Sequence, residues 1–395
     1  MKVFIAGMGV ITAPGDNCAG NLSALLGKRH GIHASSRDID SLIDDFPIAK
    51  VAFTNNELAA KAGVSPSWPR TALLGVIAAQ EAAASSGLDF AKYRTGFISG
   101  TTVGGMDSTE NFFYDYSKNK SAGHISRIIN HECGKISHLI AENIQATDFV
   151  TTLNTACSSA ANAIAFAARM IKSGRLDIAV AGGTDAITAF TLNGFNTLLL
   201  LDDELNKPFD ARRKGLNLGE GAGYLVLVSE EIARQNNCKV LAELSGYANA
   251  SDSFHQTALS DEGNGPYLAM EGAIKMAGLS ASEVGYINLH GTATPNNDLS
   301  EGNAILRLFA EKIPALSSTK SYTGHTLGAS GGVESVYSVL ALINQTTLPN
   351  LRFEIPMPGT ELYPETEARK IELKHVLSNS FGFGGNCCSL LFSKA

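Results

Sequence analysis

Apolar residues in this chain fall into two patterns, short β-rich runs and longer Ala-rich runs at helical spacing. Strands are predicted at residues 3–12, 94–98, 149–153, 177–181 and 286–289, the fourth ending at a Gly-Gly pair, and further strands follow the Gly-rich turns within 219–230 and 382–394. Strong helical patterns cover residues 71–86 and the stretch after Cys157. Strands and helices therefore alternate, which predicts an α/β fold.

Two stretches interrupt this alternation. Residues 21–48 are polar and mixed, which predicts a helix followed by an excursion of the chain. Residues 106–148 carry several charges and four closely spaced aromatic residues, Phe112, Phe113, Tyr114 and Tyr116. We interpret this second stretch as a helical insertion that covers another part of the molecule rather than as core sheet.

Two distant blocks share one pattern. The block from Leu153 to Ile171 and the block from Ala315 to Leu342 each predict a strand, a polar turn and a helix of small residues, and each is followed by a Gly-rich turn and a final strand. A chain of 395 residues is too long for one small core. We therefore predict two similar α/β halves, residues 1–235 with the insertion at about 106–148, and residues 236–395.

Composition narrows the classes of function. The net charge of −7 and the pI near 5.7 argue against a nucleic-acid or anionic membrane surface. No apolar run reaches the roughly 20 residues of a membrane span, and the N-terminus begins as a strand rather than as a signal peptide. The six cysteines show no metal-binding or disulfide spacing. These features predict reduced thiols and a cytoplasmic location.

The stretch from Thr151 to Gly174 predicts a strand, a sharp turn with Cys157, and a buried helix. Cys157 is then expected in the first turn of the helix, where unpaired N–H groups and the helix dipole favour a thiolate and can hold an oxyanion. The alternative is a buried structural cysteine, since free cysteine is among the most buried residues.

Three polar residues of the second half strengthen the first interpretation. His290 follows a short strand, and Lys320 and His325 flank the turn before a helix of small residues. Each could be an ordinary polar residue, but both histidines lie where strands end and the chain turns, the place where α/β proteins build their sites. A cysteine protease needs one histidine and an orienting Asn or Asp. Two neutral histidines instead suit the enolate that forms when a malonyl thioester loses CO2, in a covered site that excludes water.

Several motifs together resemble the elongating β-ketoacyl-acyl-carrier-protein synthases, which are thiolase-fold condensing enzymes. They are NTACSSAANAI, DAITAFTLNGF, NKPFDARRKGLNLGEGAG, NLHGTATPNNDLSE, SSTKSYTGHTLGASGGVE and SNSFGFGG, and they occur in family order over nearly the whole chain. The resemblance implies a five-layered αβαβα fold built from two duplicated halves. It also implies a homodimer.

The resemblance assigns roles to individual residues. Cys157 would accept the acyl group, and His290 and His325 would promote decarboxylation, with Lys320 orienting His325. The backbone N–H groups of Cys157 and Phe383 would form the oxyanion hole. The remaining implied roles are substrate gate for Phe383, substrate-binding loop for Gly384, phosphopantetheine binding for Thr292 and Thr294, acyl-pocket depth for Val103, and a monovalent cation site for Asn288 and Glu334.

The implied reaction transfers an acyl chain from acyl carrier protein to Cys157 and condenses it with malonyl carrier protein, giving 3-oxoacyl carrier protein and CO2. No metal or redox cofactor is implied, because phosphopantetheine arrives on the carrier protein. Two alternatives stay open, a non-elongating partner subunit of a heteromeric ketosynthase and a thiolase or hydrolase of coenzyme A thioesters. Five basic residues are candidates for carrier docking or ordinary solvated surface: Arg212, Arg213, Lys214, Lys118 and Lys120.

The chain departs from the family pattern in two places. The family usually ends its last motif GFGGTN, whereas this chain has GFGGNCC, with Asn386 and Cys387 at the two final positions. Residues 119–135 are shorter than in the family and end in a segment, residues 130–134, that borders the acyl pocket in relatives. Acyl length therefore stays open, and so does the choice between fatty-acid synthesis and a specialised polyene or pigment pathway.

Overall fold

Ten strands of the computed structural model, which describes residues 1–34, 46–310 and 312–395, form one long mixed sheet. The strands are β1 Val3–Thr12, β2 His33–Ala34, β3 Pro47–Ile48, β4 Thr95–Gly100, β5 Phe149–Leu153, β6 Ile178–Asp185, β7 Gly221–Ser229, β8 Ala242–Ser251, β9 Tyr286–Asn288, β10 Ala315–Ser317, β11 His375–Phe381 and β12 Asn386–Ser393. Strands β2 and β3 form a separate small ribbon.

Helices connect and cover the strands. They are α1 Cys18–Leu26, α2 Asn55–Ala62, α3 Arg70–Ser86, α4 Met106–Lys118, α5 Cys133–Ile144, α6 Ser159–Lys172, α7 Ala189–Thr197, α8 Glu230–Gln235, α9 Asn264–Met276, α10 Pro295–Leu308, α11 Lys320–Thr323 and α12 Ser330–Asn344, with 3₁₀ turns at Phe90–Lys92, Ile125–Asn130, Ala281–Glu283, Leu327–Ala329 and Phe383–Gly385. In the described part of the chain, no helix has the length and apolar character needed to cross a membrane.

The sheet consists of two five-stranded halves with the same topology. The order is β5-β4-β6-β7-β1 in one half and β10-β9-β11-β12-β8 in the other, and the halves meet through a short antiparallel pairing of β1 with β8. In each half the first and last strands pair antiparallel, and the three strands farthest from the junction are parallel. This repeat confirms the predicted duplicated α/β fold. The predicted boundary at 235/236 falls in the connection between β7 and β8.

Three apolar clusters lie where helices pack against the two half-sheets. One cluster packs α3 and α5 against the first half-sheet, and another packs α9 and α10 against the second. The largest lies between the half-sheets and contains α6 and α12. The molecule is therefore layered αβαβα, with α6 and α12 in its centre. Burial on all sides explains why both central helices are rich in small residues.

The two central helices touch near their N-termini. A Cβ atom on Gly331 of α12 would lie 2.6 Å from the backbone nitrogen of Ala161 in α6, so only glycine allows this approach. The turns that precede α6 and α12 hold equivalent positions in the two halves. The contact between the two helices therefore places the residues just before them next to each other. Cys157 and His325 are among these residues.

The structure corrects several sequence-based boundaries. The strand predicted to end at Gly182-Gly183 continues to Asp185, because its pairing with β4 and β7 runs through the glycines. The stretch 106–148 is helical as predicted. However, α4 buries none of its residues, whereas α5 packs against α3 and belongs to the core. Part of the excursion predicted for 21–48 lies outside the described residues.

Candidate active site

Cys157 lies on a tight turn between β5 and α6. The turn forces Ala156 to a φ of 53°, and it is held by the Ser159 hydroxyl, which accepts the Thr155 N–H at 2.9 Å and donates to the Ala156 oxygen at 2.6 Å. Helix α6 begins only at Ser159, with Ser158 as its N-cap. The prediction that Cys157 belongs to the first helical turn is therefore wrong by two residues. The strained turn points the thiol away from the helix and into a cavity.

Two histidines from the second half reach the same point. His290 follows β9, and His325 follows α11. The Nε2 atom of His325 lies 3.0 Å from Sγ of Cys157, and the two imidazole rings meet edge to face with centroids 5.4 Å apart. All three residues are buried. The structure thus brings together three residues that the sequence analysis selected over a span of 168 positions.

The neighbours of the outer ring nitrogens fix the tautomer of both histidines. Nδ1 of His325 accepts the backbone N–H of Leu327 at 3.2 Å, and Nδ1 of His290 faces the ammonium of Lys320 at 3.3 Å. Because a backbone N–H and an ammonium are donors, each Nδ1 acts as an acceptor and each neutral ring carries its proton on Nε2. Burial, with help from Lys320, lowers the pKa of both histidines well below the usual value. Both rings therefore stay neutral and present N–H donors to the cavity.

Lys320 contacts His290 rather than His325. Its ammonium donates to the main-chain oxygen of His290 at 2.6 Å and forms a buried ion pair with Glu334 of α12. The prediction that Lys320 orients His325 does not match these contacts. Ser330 and Leu327 hold His325 instead, with Ser330 Oγ 2.9 Å from Nδ1. Burial raises the pKa of Glu334 to about 7, although the neighbouring ammonium favours the carboxylate.

The thiol of Cys157 is not a ready thiolate. Burial raises its pKa to about 11, against the opposing effects of Lys320 and of the backbone N–H groups of Phe383 and Cys157. Burial thus opposes the thiolate that the sequence analysis expected, while Lys320 and the backbone N–H groups favour it. The same two N–H groups lie near Sγ, where the sequence analysis placed an oxyanion hole.

A cavity of about 210 Å³ leads to this group. Its walls carry Cys157, both histidines, Phe383 and residues of α7, α10, the end of β11 and the loops between elements: Phe195, Leu200, Leu216, Thr257, Ala258, Leu259, Thr292, Thr294, Pro295, Asn296, Asn297, Phe381 and Gly382. The hydroxyls of Thr292 and Thr294 are 2.9 Å apart. Most of the lining is apolar, and the threonine pair offers polar contacts along the way in. A flexible arm with amide groups suits such a passage.

Two residues predicted to bind substrate, Val103 and Gly384, lie outside this cavity. Val103 is buried in an apolar cluster with Ile187 and Leu192, and Gly384 is exposed on the loop after Phe383. The ring of Phe383 stacks on that of Phe195 with centroids 5.7 Å apart. Sequence reasoning missed Phe195, because nothing in its local pattern marks a partner 188 positions away.

The Cys157, His290 and His325 side chains also have the composition of a zinc site, with ligand atoms within 4.8 Å of one another. A histidine bound to zinc through Nε2 carries its proton on Nδ1 and donates it to an acceptor. Here Nδ1 of each ring faces a donor. The surroundings therefore favour two N–H donors over two metal ligands.

The monovalent cation site implied for Asn288 and Glu334 fits the polar groups around it. Within the described residues, both amide atoms of Asn288, Oε2 of Glu334 and the hydroxyls of Ser378 and Ser380 are buried without a partner. Asn288 and Ser378 are register neighbours on β9 and β11. Oxygen atoms are the ligands of hard cations. An ion held by these residues would give their unpartnered oxygen atoms, Oε2 of Glu334 among them, a ligand role close to the strand that leads to His290.

Glu301 of α10 supports the strand end that carries His290, a role that sequence reasoning missed. Its two carboxylate oxygens accept the backbone N–H groups of His290 at 2.9 Å and Gly291 at 2.8 Å. Burial raises the pKa of this carboxyl to about 7. The sequence does hold a signal for this role, an acidic residue eleven positions after the motif histidine. Such a residue lies in the first turns of the following helix, which folds back against the motif.

The basic residues proposed for docking are mostly neutralised. Arg212 pairs with Asp210 and Glu354, and Lys214 pairs with Glu204. Arg213 is largely buried and donates to the main-chain oxygen of Pro295 at the cavity wall. Lys118 and Lys120 lie over the rings of Tyr114 and Tyr116. Arg213 does not itself line the cavity and reaches it only through this contact with Pro295.

A buried cysteine beside two N–H-donating histidines, between duplicated halves of an αβαβα fold, defines a condensing enzyme of the thiolase-fold class. The family model for the beta-ketoacyl synthase N-terminal domain matches residues 1–233, and that for the C-terminal domain matches residues 241–354. The chain belongs to the beta-ketoacyl synthase family.

Individual relatives agree with this assignment. The chain is 33% identical to 3-oxoacyl-[acyl-carrier-protein] synthase 2 of Vibrio harveyi, with 100% of this chain and 98% of the relative covered. The ishigamide ketosynthase/chain length factor superposes with a TM-score of 0.93 at 26% identity, covering 100% and 99% of the two chains. A ketosynthase solved with its type II polyketide acyl-carrier protein and a hexaketide gives a TM-score of 0.90 at 25% identity, with 100% and 99% covered.

Proposed function

We propose that the protein is a β-ketoacyl-acyl-carrier-protein synthase that elongates an acyl chain by decarboxylative Claisen condensation. The observation that carries the proposal is the convergence of two neutral Nε2–H donors on the sulfur of Cys157, with His325 Nε2 3.0 Å from Sγ. An acyl carrier protein is the proposed partner, as it is for the relatives. The phosphopantetheine arm enters with it along the cavity, so the enzyme needs no resident organic cofactor.

The first step loads Cys157. Its sulfur attacks the carbonyl of an acyl thioester, and the bond to the pantetheine sulfur breaks. The proton of the Cys157 thiol leaves with the pantetheine thiol, which balances the exchange. The N–H groups of Cys157 and Phe383 hold the oxyanion during the attack. Because the thiol pKa is about 11, the proton leaves as the new bond forms rather than beforehand.

The second step forms the carbon–carbon bond. The malonyl thioester loses CO2, and the resulting enolate oxygen accepts the Nε2–H groups of His290 and His325. The enolate carbon attacks the acyl carbonyl on Cys157, the bond from that carbonyl to the sulfur breaks, and the departing thiolate takes up one proton from water. Uncharged donors suit this task, since a charged imidazolium would protonate the enolate and waste it. The product is 3-oxoacyl carrier protein.

We further propose a homodimer in the cytoplasm. Strand β5 is an edge strand with half-buried residues, and an unprotected edge is a natural place for a second chain. All six cysteines are free thiols, which suits a reducing compartment. Light scattering of the purified protein tests the oligomeric state.

Intact-mass measurement tests the reaction. The wild type and Cys157→Ala are incubated with acyl carrier proteins of graded acyl length, and malonyl carrier protein is then added. We expect an acyl mass on the wild type alone, followed by its conversion to 3-oxoacyl carrier protein. Cys238→Ala, in the connection between β7 and β8, is the matched control and should load normally. Binding of acyl carrier protein without loading at any length would instead support a non-elongating partner subunit.

A further inference from the structure

An amide cluster lies behind the nucleophile turn. The side-chain oxygen of Asn386, the first residue of β12, is 2.8 Å from each of three donors, Ser158 Oγ, Asn162 Nδ2 and Asn249 Nδ2. Asn162 also donates to the Thr155 hydroxyl at 2.9 Å and accepts from Asn249 at 2.8 Å. One oxygen atom therefore joins residues of α6, β8 and the turn before α6.

This cluster connects the two segments that supply the oxyanion hole. Thr155 and Ser158 flank Cys157, and Asn386 ends the loop that carries Phe383. Both donors of the oxyanion hole thus lie within three residues of the cluster. The backbone approach is also close, since a Cβ atom on Gly382 would lie 3.1 Å from the nitrogen of Cys157.

The loop itself has few other restraints. Gly384 and Gly385 have φ values of 79° and 75°, a region that glycine enters without cost, so the loop is intrinsically free to rearrange. Its main-chain bonds are those of Gly382 N–H to the Asn386 oxygen at 2.8 Å, Gly385 N–H to the Gly382 oxygen at 3.2 Å, Gly384 N–H to the Gln256 oxygen at 2.7 Å, and Asp252 N–H to the Gly385 oxygen at 2.8 Å. The first two are internal to the loop. The amide cluster is what ties the loop to the nucleophile turn.

We propose that Asn386 is a positioning residue for the oxyanion hole, acting with Asn162 to set the position of the Phe383 N–H relative to that of Cys157. The inference rests on the proposed function. Asn386 does not line the cavity, so it acts through the backbone and not by contact with substrate. It occupies a position where the family motif has threonine, and its longer side chain reaches three donors at once.

The amide cluster should affect the two partial reactions, acyl loading and decarboxylation, differently. Acyl loading passes through a tetrahedral oxyanion and needs both backbone donors. Decarboxylation of a malonyl thioester depends on His290 and His325, which the cluster does not touch. Loosening the cluster should therefore slow loading and spare decarboxylation. A displacement of about 1 Å at a catalytic group can cost about a hundredfold in rate.

Single-turnover loading of Cys157 by acyl carrier protein is followed by intact mass, and CO2 release from malonyl-pantetheine is followed on the unloaded enzyme. For Asn386→Ala and for Asn162→Ala we expect loading to slow at least about tenfold with an unchanged KM, and decarboxylation to stay within about twofold. The double variant should be little slower than the worse single variant, because both act through one oxygen. Asn386→Thr should restore most of the loading rate.

Asn249→Ala, which removes one exposed donor, should change loading by less than about threefold, and Asn344→Ala on α12 should change nothing. If Asn386→Ala does not fold, Asn162→Ala and Asn386→Thr carry the test. Equal loss of loading and decarboxylation, or unchanged loading in Asn162→Ala, would overturn the proposal. If the wild type itself does not load, the proposed function fails and this inference fails with it.

Discussion

The ammonium of Lys320 lies 2.6 Å from the main-chain oxygen of His290 and 3.3 Å from Nδ1 of the same residue. A cation at this place prevents Nδ1 from carrying the proton. It also connects His290 to Glu334 and so to the central helix α12. The hydrogen-bonding direction of one imidazole thus depends on a lysine 30 positions away.

Replacing that lysine should slow decarboxylation more than loading. In Lys320→Met, Nδ1 of His290 can take the proton and Nε2 loses it, so the enolate loses one of its two donors. Removal of one such donor costs about a hundredfold in comparable sites. CO2 release from malonyl-pantetheine and single-turnover loading are measured side by side, with the paired surface variant Lys207→Met as control. Normal decarboxylation in Lys320→Met would refute the role given to the ammonium.

The low pKa of both active-site histidines predicts the pH dependence of decarboxylation. Free imidazole is half protonated near pH 6.5. Burial and Lys320 lower the pKa of His290 and of His325, so the active neutral form persists as the pH falls through 6.5. The two histidines should therefore cause no loss in the rate of CO2 release from malonyl-pantetheine between pH 7.5 and 6, and any change in this range should instead be centred near pH 7, where Glu334 and Glu301 titrate. A sigmoidal loss centred at pH 6.5 would show that the histidines titrate normally.

The stack of Phe195 on Phe383 should limit loading of long acyl chains. An aromatic pair contributes about 1 kcal/mol beyond its buried area, a factor of about five in population. Phe195→Leu should therefore speed loading of long acyl groups up to about fivefold and leave short ones unchanged. Phe190→Leu, an exposed position on the same helix, is the control. A uniform effect at every acyl length would argue against a gate.

A buried ion pair away from the cavity should control stability. Arg70 of α3 donates to Glu220 through Nε and Nη2, and Glu220 also accepts the backbone N–H groups of Val51 and Ile187. Glu220→Ala leaves the guanidinium buried without its partner and should lower the free energy of unfolding by about 3–5 kcal/mol. Lys275→Ala, which breaks a surface pair with Glu271, should cost less than about 0.5 kcal/mol. The free energy of unfolding of both variants is measured by denaturant titration. Equal decreases in the two variants would refute this contrast.

Sequence patterns predict the elements of this fold well and the contacts of the site less well. The strand at 3–12 and the helix at 71–86 are strongly periodic, and both match the structure to within one residue. The motifs selected Cys157, His290, Lys320 and His325, and the fold brings all four together. The pairing of Lys320 with His325 is wrong, because the family resemblance that implied it carries no distances within this chain.

Burial explains a second difference. The turn before α6 suggested a stabilised thiolate, because the unpaired N–H groups and the dipole at a helix N-terminus favour a negative charge. The opposing effect comes from layers that pack around Cys157 only after both halves of the fold have formed. Sequence reasoning missed the Asn386 cluster for the same reason, since its members are 224 and 137 positions apart.

The duplicated architecture divides the chemistry between two bodies. The first half carries the nucleophile and the second carries both proton-bearing rings, and the packing of α6 and α12 on each other and on the opposite half-sheets, together with the β1–β8 pairing, holds them in register. Neither half alone contains a complete site. Two separately expressed halves should therefore gain activity only as they reassemble, which makes turnover a direct readout of their association.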